Sequence, residues 1–237
     1  MPKAVINYGH GPLNSGGYDP GAIGPTGYRE STQNKEVGER VVVKLKANGW
    51  DVLTIKDGDL ADITNQANAF KPDTFISIHA DSFSNSQAHG VTTFALAPGG
   101  QGEKIAKEIQ KELVLATGLT DRGVKFANFH VLRETIGYPA VLVEAGFISN
   151  PLEEALMKQD AWDDKVATAI CRGISRAMGV AYIERGGVVK VAKVKPVKKI
   201  IDPNDIYLTV RVLDHLADQA IIDINKLGFA CQRLELA

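Results

Sequence analysis

Thr74-Phe75-Ile76-Ser77-Ile78-His79 and Ala140-Val141-Leu142-Val143-Glu144 decide how this chain folds. Each is a short run of apolar and β-branched residues that ends on an ionisable side chain. Near-continuous apolarity over so few residues marks a strand covered on both faces. Residues 4–7, Ala-Val-Ile-Asn, form a third such run, followed by Gly9-His10-Gly11. Residues 51–55 and 91–96 read as further strands, and Val131-Leu132 as one more short strand.

Helical patterns lie between these runs. Over residues 30–48, Val37, Val41 and Leu45 recur every fourth position, and Asn48-Gly49 supplies the stop. Residues 102–117 repeat the pattern with Ile105, Ile109 and Leu113. Residues 151–157 and 162–178 read as helices, and 64–70 as a short one. Strands alternating with helices predict an α/β domain over residues 1–183: a twisted, mostly parallel sheet flanked by helices.

Composition narrows the function classes. The chain has 237 residues, 44% hydrophobic and 23% charged, enough for one full domain and something smaller. Its 27 Lys and Arg against 28 Asp and Glu leave a net charge of −1, which excludes a basic footprint for nucleic acid. Two cysteines, Cys171 and Cys231, cannot staple a disulfide framework. No apolar run reaches the length of about 18 residues that a membrane span needs. Residues 1–10 show no charged segment followed by an apolar core, so the expectation is synthesis in the cytoplasm without a signal peptide.

The composition changes near residue 184. Residues 184–199 hold six basic residues and one acidic one, with Gly186-Gly187 and Pro196. Residues 184–203 therefore read as a basic linker. Its plain role is a solvated tether, and its charge also suits an anionic wall polymer such as a teichoic acid. Residues 204–237 pattern as one small β-α-β module. Such a unit buries too little to stand alone, which makes self-association through 204–237 an expectation, beside wall targeting.

The chemistry sits at strand ends. His10, His79 and Glu144 each follow or close an apolar strand, where sites form in open α/β sheets. Glu30 opens the first long helix after a Gly-rich loop. Two imidazoles and a carboxylate make a hydrolytic zinc set with one position open to water. A second carboxylate outside that set would carry the proton. Taken alone, each residue has a plainer reading: a structural histidine, a helix-start Glu, a buried Glu. The combination carries the argument.

Five motifs then point one way: Asn7-Tyr8-Gly9-His10-Gly11, Asp19-Pro20-Gly21-Ala22-Ile23-Gly24, Glu30, Ser77-Ile78-His79-Ala80-Asp81, and residues 142–150, Leu-Val-Glu-Ala-Gly-Phe-Ile-Ser-Asn. Together with His130-Val131-Leu132-Arg133 and Pro139-Ala140-Val141-Leu142, they resemble the zinc-dependent N-acetylmuramoyl-L-alanine amidases of the amidase-3 type, from about residue 3 to 179. The resemblance implies a Zn2+ cofactor held by His10, Glu30 and His79, with Glu144 as the catalytic carboxylate. It implies peptidoglycan as substrate, cut between muramic acid and L-alanine. The missing signal segment adds the expectation of action on the wall after release through a lysis pore or by mother-cell lysis, as a phage endolysin first and a sporulation or prophage autolysin second. The competing readings are a non-catalytic peptidoglycan-binding module and a zinc peptidase acting within the stem peptide. Asn7-Tyr8 stands where many members have Asp-Pro.

The remaining reactive side chains receive plain expectations. His130 is structural, in a strand with Val131; His89 belongs to a loop; His215 has no partner motif. Cys171 is core, and Cys231 has no reactive neighbour. Arg122 and Arg133 are solvated surface residues, with stem-peptide carboxylates as their alternative.

Overall fold

The computed structural model describes residues 1–56 and 58–184. The elements in chain order are β1 (Lys3–Tyr8), β2 (Gly11–Pro12), β3 (Tyr18–Asp19), α1 (Glu30–Ala47), β4 (Asp51–Ile55), α2 (Leu60–Phe70) and β5 (Thr74–Asp81). They continue with β6 (Val91–Ala95), α3 (Gln101–Thr117), β7 (Asp121–Phe126), α4 (His130–Arg133), β8 (Ala140–Phe147), α5 (Pro151–Met157) and α6 (Asp160–Met178). Most of the basic linker and the whole expected tail, with His215 and Cys231, lie outside the described residues.

Six strands form one sheet in the order β4-β1-β5-β8-β6-β7. Neighbours run parallel except β6 against β8, which is antiparallel. The two runs that opened the reading, β5 and β8, lie side by side at its centre, which explains their continuous apolarity. The short β2 and β3 pair separately.

Helices cover both faces. One face carries the larger core, in which Val37, Val41 and Leu45 of α1, Ile105, Ile109 and Leu113 of α3, and Val166, Ile170 and Ile174 of α6 are buried. The α3–α6 crossing is close. A Cβ on Gly173 would stand 2.5 Å from the Ile109 Cα, so only glycine fits there. Cys171 is buried in this core, as expected. The other face is covered more thinly, by Ile63 and Ala67 of α2 and Val131 and Leu132 of α4 against Val5, Phe75 and Leu142.

Two expectations are corrected. Val131 and Leu132 lie in the single helical turn α4, not in a strand. Two apolar residues cannot display a period, and here they cap the thin core from above rather than join the sheet. β7 was not anticipated: its Asp-Arg-Gly-Val-Lys-Phe carries no burial signal, because it is a half-exposed edge strand. In addition, α2 begins at Leu60, earlier than the expected residue 64. Among the described residues no helix is long and apolar enough to cross a membrane.

Candidate metal centre and its groove

The parallel strands β1, β5 and β8 all deliver their carboxyl ends to one edge of the sheet, and the four residues singled out from the sequence gather there. His79 and Glu144 face each other as a register pair across β5 and β8. Asn7, in place of the acidic residue common in the resembled family, sits just below. Its Nδ2 donates to the Ile55 carbonyl at 3.2 Å, and the Ser77 hydroxyl donates to its Oδ1 at 2.7 Å. It ties β4, β1 and β5 together beneath the site and leaves the ligand positions untouched.

Beyond β1 the chain turns sharply. His10 adopts φ of 64°, a left-handed conformation uncommon outside glycine. Such strain is tolerated where the surroundings over-determine it, and they do so here. His10 Nδ1 lies 2.7 Å from Asp19 Oδ2, and Nε2 lies 3.2 Å from Glu30 Oε1. The same Glu30 oxygen lies 2.9 Å from His79 Nδ1. The two rings meet edge to face with centroids 5.0 Å apart. Glycine makes this crowding feasible: a Cβ on Gly9 would overlap the His79 ring, and one on Gly21 would stand 2.6 Å from Glu30 Oε2.

Glu30 is 5% exposed and fully engaged. Its Oε2 accepts the Ala22 N–H at 2.9 Å, and its Oε1 accepts the Ala80 N–H at 3.2 Å. Burial opposes its charge, but the two imidazoles outweigh burial and hold its carboxyl far below the usual range. Burial likewise disfavours the His10 cation, yet hydrogen bonds and charge from Glu30 and Asp19 raise its pKa to about 9. The cluster thus wants one positive charge at its middle.

A metal ion fits that demand. One donor atom from each of His10, Glu30 and His79 lies within 4.8 Å of the others. Nitrogen and carboxylate donors in a three-residue set suit zinc and leave it an open position. Asp19 supplies the outer support that such a histidine requires. Its Oδ1 also accepts the Gly21 N–H at 2.9 Å, closing a local turn. The sequence shows Asp19 only as part of a motif, because its partner lies nine residues away across a loop.

Glu144 has the opposite environment. Burial, then the charges of Asp81 and Glu30, push its carboxyl well above the ordinary range. Its Oε2 is buried with no hydrogen-bond partner. An orphaned carboxylate oxygen is costly unless a ligand or proton uses it. Glu144 lines a groove of about 470 Å³ together with His10, His79, Leu60, Ile63 and Phe129. His130 lines this groove as well, and its Nε2 has no partner. It opens the helical turn α4 rather than lying in the expected strand. Arg133 bonds Glu134 Oε1 at 2.6 Å and Asn128, a surface role as expected.

Comparison with known proteins agrees with the geometry. Residues 4–176 match the Amidase_3 family model, described as N-acetylmuramoyl-L-alanine amidase. The chain is 34% identical over 174 residues to N-acetylmuramoyl-L-alanine amidase LytC of Bacillus subtilis, covering 71% of this chain and 34% of that one. It therefore spans about a third of that relative's length. It is 31% identical over 198 residues to the sporulation-specific N-acetylmuramoyl-L-alanine amidase of the same organism, covering 81% of this chain and 74% of that one. The solved catalytic domain of the amidase CwlV from Bacillus (Paenibacillus) polymyxa var. colistinus superposes with a TM-score of 0.70 at 35% identity, over 76% of this chain and all of that one. With motifs, sheet and centre in agreement, the chain belongs to the N-acetylmuramoyl-L-alanine amidase family.

Proposed function

We propose that this chain hydrolyses the amide between N-acetylmuramic acid and L-alanine in peptidoglycan, with zinc held by His10, Glu30 and His79. The observation that carries the reading is the pairing of a charge-hungry donor set with an orphaned carboxylate, Glu144, on one strand rung. Zinc bound there would polarise the amide carbonyl and acidify water. The remaining work falls to the chain itself. Asp19 holds the His10 ring through Nδ1 and keeps Nε2 directed at the centre. Glu144 takes the proton of the attacking water and delivers it to the departing alanine nitrogen. The buried site raises the proton affinity of Glu144, which a general base working near neutrality needs. The apolar groove walls exclude bulk water and strengthen these charges.

An endolysin and a sporulation autolysin would share this chemistry; the similarity to a sporulation-specific amidase speaks for the second. The linker 184–203 and the module 204–237 are assigned to tethering, and to wall targeting or self-association, on sequence grounds alone. Digestion of purified peptidoglycan with mass analysis tests the reaction. The expected products are glycan strands free of peptide and stem peptides with a new alanine amino terminus. Cuts within the stem would instead identify a peptidase, and binding without products a non-catalytic module. Chelation should stop the reaction and zinc should restore it.

A further inference from the structure

Beyond the His79–Glu144 rung, β5 and β8 present a second paired rung, Asp81 opposite Phe147. The register shifts between the two, as a bulge does when it re-aims side chains beside a site. Arg122, from the start of β7, places its guanidinium carbon 4.7 Å from the Phe147 ring centroid. Its Nη1 donates to the His89 carbonyl at 3.2 Å. A guanidinium has five donors, and among the described residues Arg122 forms no ion pair. It lines a cavity of about 380 Å³ together with Asp81, Phe83, Asn85 and His89. Asp81, the carboxylate in that cavity, accepts the Ser82 N–H at 2.7 Å and stands outside ion-pair distance of Arg122.

The walls of this cavity are built rather than loose. Ile148 N–H donates to the Asp81 carbonyl at 2.8 Å, and Phe83 N–H to Ser149 Oγ at 3.0 Å. Asn150 Nδ2 donates to the Ala88 carbonyl at 3.1 Å. Glu153, 3% exposed, accepts Gly90 N–H at 2.8 Å and Phe147 N–H at 2.6 Å. The loop after β5 is thereby stitched to the segment after β8, so a ligand meets a preorganised surface.

The centre thus has two unlike flanks. On the β1–β4 side lies the apolar groove of Leu13, Leu60, Ile63 and Phe129. On the β6–β7 side lies the cavity of Arg122. The proposed substrate is equally asymmetric: a sugar lactyl group on one side of the scissile amide, and on the other a peptide whose second residue bears a carboxylate. Two residues of strand advance about 7 Å. That is about the span from the alanine nitrogen to the carboxylate on the following residue.

We propose that Arg122 is a specificity-determining residue that binds the α-carboxylate of the second stem residue, D-glutamate, and so directs the peptide toward the Asp81–Phe147 rung and the glycan toward the apolar groove. The proposal rests on the amidase reading. A guanidinium stacked on an aromatic ring presents its remaining donors in a fixed plane, which suits bidentate carboxylate binding.

The test uses the full chain loaded with zinc and two soluble muropeptides that differ only in that group, D-glutamate against D-isoglutamine. The wild type should favour glutamate by at least about tenfold in kcat/KM, with the difference in KM, as expected for one charge-assisted contact. Arg122→Gln should bring the ratio to within about twofold, and Arg122→Lys should keep part of it. A wild-type ratio near one overturns the proposal without any variant. So does an Arg122→Gln enzyme that slows equally on both substrates, since a structural role would act that way. A wild type that cleaves neither muropeptide nor whole peptidoglycan overturns the amidase reading itself, and this proposal with it.

Discussion

Glu30 and Glu144 border one centre and live in opposite surroundings. Glu30 has each oxygen bonded to a backbone N–H and faces two imidazoles, and its carboxyl is held far below the ordinary range. Glu144 keeps one buried oxygen without a partner and is pushed well above that range. The same side chain is therefore held as an anion in one place and pushed toward its protonated form a short step away. The loop before α1 and the β5 backbone bring donors to Glu30, whereas no donor reaches the buried Oε2 of Glu144. Titratable groups driven apart in this way support the two proposed roles, a cation ligand for the low one and a proton carrier for the high one.

The comparison is open to attack from either side. The largest effect should follow from removing the anion side: Glu30→Ala or His79→Ala should abolish both bound zinc and wall lysis, read by metal analysis and turbidity. If either variant kept zinc, the donor set would be misassigned. On the other side, Glu144→Gln should keep zinc and lose activity by about 10²–10⁴-fold, the worth of a positioned general base. Near wild-type turnover would reduce Glu144 to a structural carboxylate.

A pH titration sharpens the contrast next. In the metal-free protein His10 has its pKa raised to about 9, so at pH 7 zinc must displace its proton. Lowering the pH from 9 to 7 should therefore weaken zinc binding by about fiftyfold, with close to one proton released per metal bound near pH 7. Calorimetry in buffers of different ionisation enthalpy measures that proton. A flat profile over this range would show that Glu30 and Asp19 do not hold a proton on His10. The smallest effect belongs to the outer support. Asp19→Ala should lower zinc affinity by about 10–100-fold while the fold stays intact. Unchanged affinity would mean that the turn alone fixes the ring.

Legibility in the sequence followed burial. β1, β5 and β8 could be read because strands covered on both faces must be apolar throughout, and their closing His and Glu stood out against that background. α1, α3 and α6 could be read because one buried face imposes a fourfold recurrence, as in Ile105, Ile109 and Leu113. β7 was missed because an exposed edge strand needs no such pattern. α4 was misread because its two apolar residues fit a strand as well as a helical turn. Arg122 was expected at the surface, which is correct for its exposure; nothing in the chain reveals that Phe147 lies beneath it.

What the sequence alone determined is the fold class and which four side chains are candidates for the site. Chemistry restricts which side chains can bind zinc or move a proton, and apolar runs restrict where strands form. What only the tertiary structure decided is which partner each residue has: Asp19 against His10, two imidazoles against one Glu30 oxygen, no hydrogen-bond donor for the buried oxygen of Glu144, and a cation over Phe147. Those pairings depend on the sheet order β1-β5-β8, which joins residues up to 70 positions apart. Spacing along a chain does not encode such distances, because packing the two faces of the sheet sets them.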